Sequence, residues 1–253
     1  PGQPSAAEIE EHNVTHIPYR PWCEACNRGK AKKKPGLRLC GEYAHSAHAR
    51  VRMDYAKLTE VAEETDDGEQ GEEDAESAEN SQSMLVMQES QHTSVWSYAV
   101  ERKGASEEWV VSQLLEDIET VGLHGERIVV KTDQEPSVVE VIREIVDNRQ
   151  AAHGTAIENS AVGESDTNAT VERAIQDIEG QVRTLRAGLE ARLKEKVHIR
   201  DPVVPWLVRH AGCLITMCRV RPNGKTALEM IKGRKTNMKI TEFGENIMFR
   251  IPT

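Results

Sequence analysis

Four side chains suited to a borderline-soft divalent metal fall within fifteen residues near the start of this chain: His12, His16, Cys23 and Cys26. No other feature constrains the local fold as strongly. Two histidines one helical turn apart share a helix face. Two cysteines separated by two residues form a knuckle, and the four together complement a closed tetrahedral zinc site. Pro18 and Pro21 lie in the connection and turn the chain so that the two pairs converge. The bland alternative is a surface histidine pair beside two unrelated thiols. With nine His and five Cys in 253 residues, four such groups in so short a stretch argue against it. A segment this small has little core, so one Zn²⁺ supplies much of its folding energy. Nothing marks an open coordination position, and the site reads as structural. Cys23→Ser is expected to release zinc and loosen residues 8–30 while sparing the remainder. The low, odd cysteine count also favours metal in a reducing compartment over a disulfide scaffold.

Charge is distributed unevenly. The formal net charge is −10, yet residues 60–80 hold eleven acids and no base. Without that run, 31 acids face 32 bases, from totals of 42 and 32. From Gln181 to Thr253 there are 15 bases and 6 acids, so a polyanionic partner suits the C-terminal stretch. The acidic stretch, taken as 60–83 with its Ser, Gly and Gln, lacks the apolar surface to offset its ordering entropy and reads as a disordered insertion. No run of about 18 apolar residues exists, which excludes a membrane-spanning helix. The start, Pro-Gly-Gln-Pro-Ser, is no signal peptide and lacks an initiator Met, so a piece of a longer or processed chain is expected.

Periodicity outlines the remaining elements. Val51, Met53 and Tyr55 alternate with Arg52 and Asp54, a strand over 48–58. Met84–Met87 and Val95–Val100 read as a hairpin. A helical stripe runs through Trp109, Val110, Leu114, Ile118 and Val121, then a short buried strand spans 127–132. Pro136 opens a helix carrying Val138, Val139, Ile142, Ile145 and Val146. One more strand is expected in 151–164. A long helix follows over 170–193, with Ile175, Ile178, Val182, Leu185 and Leu189 spaced by threes and fours. Shorter helices near 206–220 and 226–231 lead to a terminal strand, 247–251. This order predicts a mixed α/β sheet with helices on its faces.

Three acids stand out by position. Asp54 lies on the strand face opposite Met53 and Tyr55. Asp133 directly follows a buried strand, where chemistry gathers in open α/β sheets, although turn and cap roles are commoner for such residues. Glu172, three residues before Ile175, falls on the apolar stripe of the long helix and there needs a partner, either an arginine or a metal.

With His12, His16, Cys23 and Cys26 come Met53-Asp54-Tyr55, then Lys131-Thr132-Asp133-Gln134-Glu135-Pro136, then Asn168-Ala169-Thr170-Val171-Glu172-Arg173-Ala174. Arg221-Pro222-Asn223-Gly224-Lys225-Thr226-Ala227-Leu228-Glu229 closes the series. This collinear set, covering about residues 12–235, resembles the retroviral and retrotransposon integrases. The resemblance implies a ribonuclease-H-like mixed sheet flanked by helices, an 8–40 zinc-binding segment, a 48–235 catalytic core and a C-terminal β segment starting in 236–253. It implies Asp54, Asp133 and Glu172 as a D,D-E triad holding two Mg²⁺ or Mn²⁺ ions. It implies double-stranded DNA, both element ends and target, as partner, a homo-oligomer, and a nuclear site of action. The departures are few. The 38 residues between Asp133 and Glu172 slightly exceed the retroviral spacing, the His-to-Cys gap of six is short, and Ala169 stands where glycine is common. Nucleic-acid contacts are expected at Asn168, Arg173, Arg183, Arg186, Lys194 and Lys196, with Arg192 and Arg200 nearby; an ordinary solvated helix face is the alternative. A decayed or domesticated integrase that binds nucleic acid without cutting it is the second reading. A zinc-dependent module that recruits basic partners through its acidic run is the third.

Overall fold

The computed structural model describes residues 4–30, 48–59, 81–132, 135–149, 154–159 and 169–248. Asp133, Gln134, Asn168, Glu164, Asp166, Cys40, the 60–80 acidic run and residues 249–253 of the expected terminal strand lie outside them.

Five strands form one sheet: β1 (Ala49–Thr59), β2 (Ser81–Glu89), β3 (Val95–Val100), β4 (Ile128–Thr132) and β5 (Thr155–Asn159). Their spatial order is β3-β2-β1-β4-β5. The first three are antiparallel neighbours, whereas β1, β4 and β5 run parallel. Helices α1 (Ala6–Thr15) and α2 (Glu24–Lys30) precede the sheet. Then come α3 (Glu108–Ile118), α4 (Pro136–Asn148), α5 (Ala169–Leu193), α6 (Val204–Cys218) and α7 (Ala227–Lys232). A mixed sheet in this order with helices on both faces is the expected ribonuclease-H-like arrangement.

Strict alternation along β1 splits its side chains between two cores. Val51, Met53 and Tyr55 join β4 and helices α3 and α4, through Leu114, Ile118, Val138, Ile142 and Ile145. Leu58 and the half-buried Ala56 face the other way and join Ile178, Val182 and Leu185 of α5 with Leu207, Ala211 and Leu214 of α6. Asp54 has the parity of Ala56 and Leu58, so it lies on the sheet face that receives α5. Helix α6 seats on β3 at Gly212, where a Cβ would come within 2.9 Å of Ser97 Oγ and 3.2 Å of Trp96 Cα. The Ser97 hydroxyl donates to the Val208 carbonyl at 2.6 Å, and the Val95 N–H donates to Thr216 Oγ1 at 2.9 Å.

Several sequence expectations need correction. Strand β2 begins at Ser81, so residues 81–83 are sheet and not part of a 60–83 insertion. Gln82 is buried because its amide donates to the Val100 carbonyl at 2.9 Å, a long-range bond its polar neighbours conceal. Trp109 is 52% exposed: it opens α3 beside the buried stripe of Val110, Leu114 and Ile118. Residues 247 and 248 form no strand, and both side chains are exposed.

The strand register gives the acidic run a direct test. Thr59 pairs with Ser81 across the β1–β2 ladder, so the chain enters and leaves the run at adjacent points. Deleting Thr65–Ala78 removes seven of the eleven acids. Closure entropy changes slowly with loop length, so unfolding stability should shift by no more than about 1 kcal/mol. The DNA binding that the resemblance implies should tighten at low salt, where repulsion between acids and phosphates is least screened. A large drop in melting temperature would show that the run is packed structure.

Candidate metal centre and acidic site

Ser5 opens α1 with a capping box: its hydroxyl accepts from the Glu8 N–H, and the Glu8 carboxylate accepts from the Ser5 N–H. The helix ends at His16, which takes the left-handed conformation with φ 51° and donates its N–H to the His12 carbonyl at 2.7 Å. His12 and His16 therefore project from the end of one helix. Cys23 and Cys26 come from the start of α2, where the Asn27 N–H donates to the Cys23 carbonyl at 3.0 Å. All four side chains are buried, and their ligand atoms lie within 4.8 Å of one another. Cys23 Sγ is 3.4 Å from His16 Nδ1, Cys26 Sγ is 3.3 Å from His12 Nε2, and Cys26 Sγ is 3.9 Å from His16 Nδ1. In a tetrahedral zinc site, the usual bond lengths put sulfur and nitrogen ligands roughly 3.6 Å apart. The donor set, its burial and its spacing all fit one Zn²⁺, bound through Nε2 of His12 and Nδ1 of His16. Trp22 packs edge-on against His12 with ring centroids 4.9 Å apart and fixes that imidazole. Cys26→Ser should reduce bound zinc from one equivalent to far below one, as read by metal analysis of the purified protein; unchanged zinc content would contradict the assignment.

The acids behave differently. Asp54 is half-buried on β1, and its Oδ1 accepts the Tyr55 N–H at 2.7 Å. Beside it on the same face runs a row that sequence reasoning missed. Arg52 pairs with Lys131 in register, and Lys131 pairs with Glu158. Lys131 Nζ lies 3.2 Å from the Glu158 carboxylate, and Arg50 approaches the same carboxylate at 3.7 Å. Period-two alternation carried across three parallel strands was the available signal. Glu135, near Asp133 in sequence, is occupied: Lys103 Nζ and Ser137 Oγ both donate to it at 2.7 Å. Partial burial opposes its charge, but those two bonds prevail and hold its carboxyl below the ordinary value.

Glu172 stands in the first turn of α5, but it is exposed and does not lie on the apolar stripe. The buried stripe runs through Val171, Ala174, Ile178, Val182, Leu185 and Leu189. Ile175, the reference for the expected register, sits at its half-buried margin, and stepping back three residues from the margin leads off the stripe.

The expected nucleic-acid contacts divide. Arg173, Lys194 and Lys196 are exposed. Arg183 donates from Nε to the Gly29 carbonyl at 3.2 Å and lies 3.8 Å from Glu179. Arg186 is paired with Glu190 at 3.0 Å, and Arg192 with Glu242 at 3.0 Å. In the Arg221–Glu229 stretch, Thr226 and Glu229 form the capping box of α7, while the Arg221 guanidinium donates to the Thr93 carbonyl at 2.6 Å. That stretch is a structural corner between β2–β3 and α6–α7.

No protein-family model matches this chain, and no curated protein does either. Among solved structures it is similar to the HTLV-2 integrase catalytic core domain in complex with magnesium, at 16% identity and TM-score 0.44, covering 72% of this chain and 94% of that one. It is also similar to the catalytic core domain of BIV integrase, at 12% identity and TM-score 0.42, covering 73% and 93%. A third match is the simian T-cell lymphotropic virus intasome in complex with the PP2A regulatory subunit B56 gamma. There the identity is 13% and the TM-score 0.44, with 98% of this chain and 72% of that one covered. Identities and TM-scores this low leave the functional reading to this chain's own residues.

Proposed function

We propose that this chain is an integrase-type polynucleotidyl transferase of an LTR-type retroelement, which trims the 3′ ends of element DNA and joins them to target DNA. One observation carries the reading. Arg52 and Lys131 are register partners on neighbouring parallel strands, and two residues after each in sequence stands an aspartate, Asp54 and Asp133. Glu172 supports it from the first turn of α5, the helix that packs on the sheet face carrying Asp54.

Three carboxylates offer oxygen-only ligands, the complement for hard cations. Asp54, Asp133 and Glu172 would hold two Mg²⁺ or Mn²⁺ ions, which would supply activation of an attacking oxygen, from water or a DNA 3′-hydroxyl, and charge stabilisation of the leaving oxygen. The chain's own groups hold and orient. The Tyr55 N–H fixes one Asp54 oxygen. Arg173, Lys194 and Lys196, all exposed, and Asn168 contact DNA phosphates, which fixes register without reading sequence. Double-stranded DNA as substrate, a homo-oligomeric assembly and a nuclear site of action belong to the same reading.

Incubation of the zinc-loaded protein with supercoiled plasmid, with and without Mg²⁺, tests it. Metal-dependent nicking is expected. DNA bound but uncut in Mg²⁺ and Mn²⁺ would contradict the transferase and favour a non-catalytic nucleic-acid-binding protein. Neither binding nor cutting, with tight capture of a basic protein, would favour the interaction module.

A further inference from the structure

The zinc segment does not stand apart from the sheet domain. Helix α5 is buried on two sides. Ile178, Val182, Leu185 and Leu189 face the sheet and α6, whereas Thr184 and Gly188, four residues apart, lie against α2 and the end of α1. The approach is as close as backbone permits. A Cβ at Gly29 would fall 2.1 Å from Thr184 Oγ1, 2.5 Å from Thr184 N and 2.8 Å from Thr184 Cα. Thr184 turns its hydroxyl back to the Gly180 carbonyl at 2.7 Å, so the small surface on α5 meets the small residue on α2. A Cβ at Gly188 would stand 3.2 Å from Nε2 of His16, itself one of the four zinc-type ligands. Polar bonds close the seat: Gln181, fully buried, donates from Nε2 to the Thr15 carbonyl at 2.7 Å, and Arg183 donates to the Gly29 carbonyl. Thr15 immediately precedes His16, so both ends of the ligand loop are tied to α5 within one turn, at Gln181 and Arg183.

We propose that metal occupancy of the His12, His16, Cys23 and Cys26 site is transmitted to helix α5 through this glycine-lined seat, so that the zinc segment and the core act as one cooperative unit. This reverses the sequence expectation that losing a zinc ligand spares the core. Residues His12 and His16 are held in ligand geometry only while the α1 end and α2 lie on α5. Conversely, the buried amide of Gln181 and the flat face at Thr184 are covered only while the segment keeps its shape. The chain's linked parts therefore stabilise one another, and a ligand that binds the ordered segment alone stabilises both. The coupling stands whether or not the three acids catalyse.

Amide hydrogen exchange of the full chain, zinc-loaded and after chelation, tests it. Removing zinc should speed exchange at residues 180–190 of α5 by at least about tenfold, together with residues 6–30. Opening of residues 6–30 with α5 unchanged would overturn the proposal. The reverse direction has its own readout. Gly188→Leu lies far from every ligand in sequence and should weaken zinc affinity by about tenfold in competition with a chromophoric chelator. Gln181→Leu, which removes the bond to Thr15 but adds no bulk, should weaken it several-fold and covers the case in which Gly188→Leu does not fold. Wild-type zinc affinity in a folded variant of either kind would overturn the proposal. Loss of DNA nicking with the coupling intact would bear only on the transferase reading.

Discussion

Asp117→Ala should destabilise the protein by about 3 kcal/mol. Asp117 sits at the end of α3 with only 6% of its surface exposed. Its carboxylate receives two parallel N–H bonds from the Arg209 guanidinium of α6, at 2.7 and 2.9 Å, and a further bond from the Tyr98 hydroxyl of β3. The Arg209 guanidinium also lies 4.8 Å from the centre of the Tyr98 ring. Burial disfavours the charge on Arg209, but the bonds to Asp117 prevail and hold its pKa above the ordinary value. Burial, reinforced by the Asp117 charge, pushes the Tyr98 phenol well up. Alanine would leave Arg209 without its counter-ion and the Tyr98 hydroxyl without its acceptor, and both losses carry a desolvation cost. Asparagine keeps an acceptor and the shape, so Asp117→Asn should cost less. Urea unfolding followed by tryptophan fluorescence measures both; a change under about 0.5 kcal/mol for alanine would mean the network is solvated.

Glu172→Gln should abolish Mg²⁺-dependent 3′-end processing and strand joining while DNA binding survives. In the proposed triad Glu172 would help fix one ion, and catalysis by such ions depends on their placement. Exposure at the first turn of α5 is compatible with this role, because a group that meets both ions and DNA must be reached from solvent. Glutamine preserves volume and hydrogen bonding, so folding should be unaffected. Glu164, upstream of the helix, is the internal comparison: Glu164→Gln should retain most activity. The reverse pattern in gel-based assays of processing and joining would show that the third acid was misassigned.

Local signals carried much of this fold into the sequence. The alternation of Val51, Met53 and Tyr55 marked β1 because its two faces meet different helices. Pro136 and the Val138–Ile142–Ile145 spacing marked α4, and ligand spacing alone brought His12, His16, Cys23 and Cys26 together. What escaped was set by partners distant in sequence. Asp117 looks like one more polar residue of α3 until Arg209, 92 residues on, reaches it. Gln82 and Ser81 look like the tail of an acidic run until β1 and the Val100 carbonyl pair with them. Arg183 and Arg186 look like a bare basic helix face, and the sequence does not show that Gly29, Glu179 and Glu190 pair with them. The exposure of Glu172 escaped for a subtler reason: a helix stripe is wide enough that a residue at its margin, here Ile175, misleads a count of three.

The most direct measurement is Mn²⁺ binding to the zinc-loaded protein, followed by electron paramagnetic resonance, in the parent and in Asp54→Asn, Asp133→Asn and Glu172→Gln. Mn²⁺ should bind the parent and be weakened by each substitution separately, the result expected of three carboxylates that share the same ions. Mn²⁺ binding that is unchanged in all three variants would contradict it.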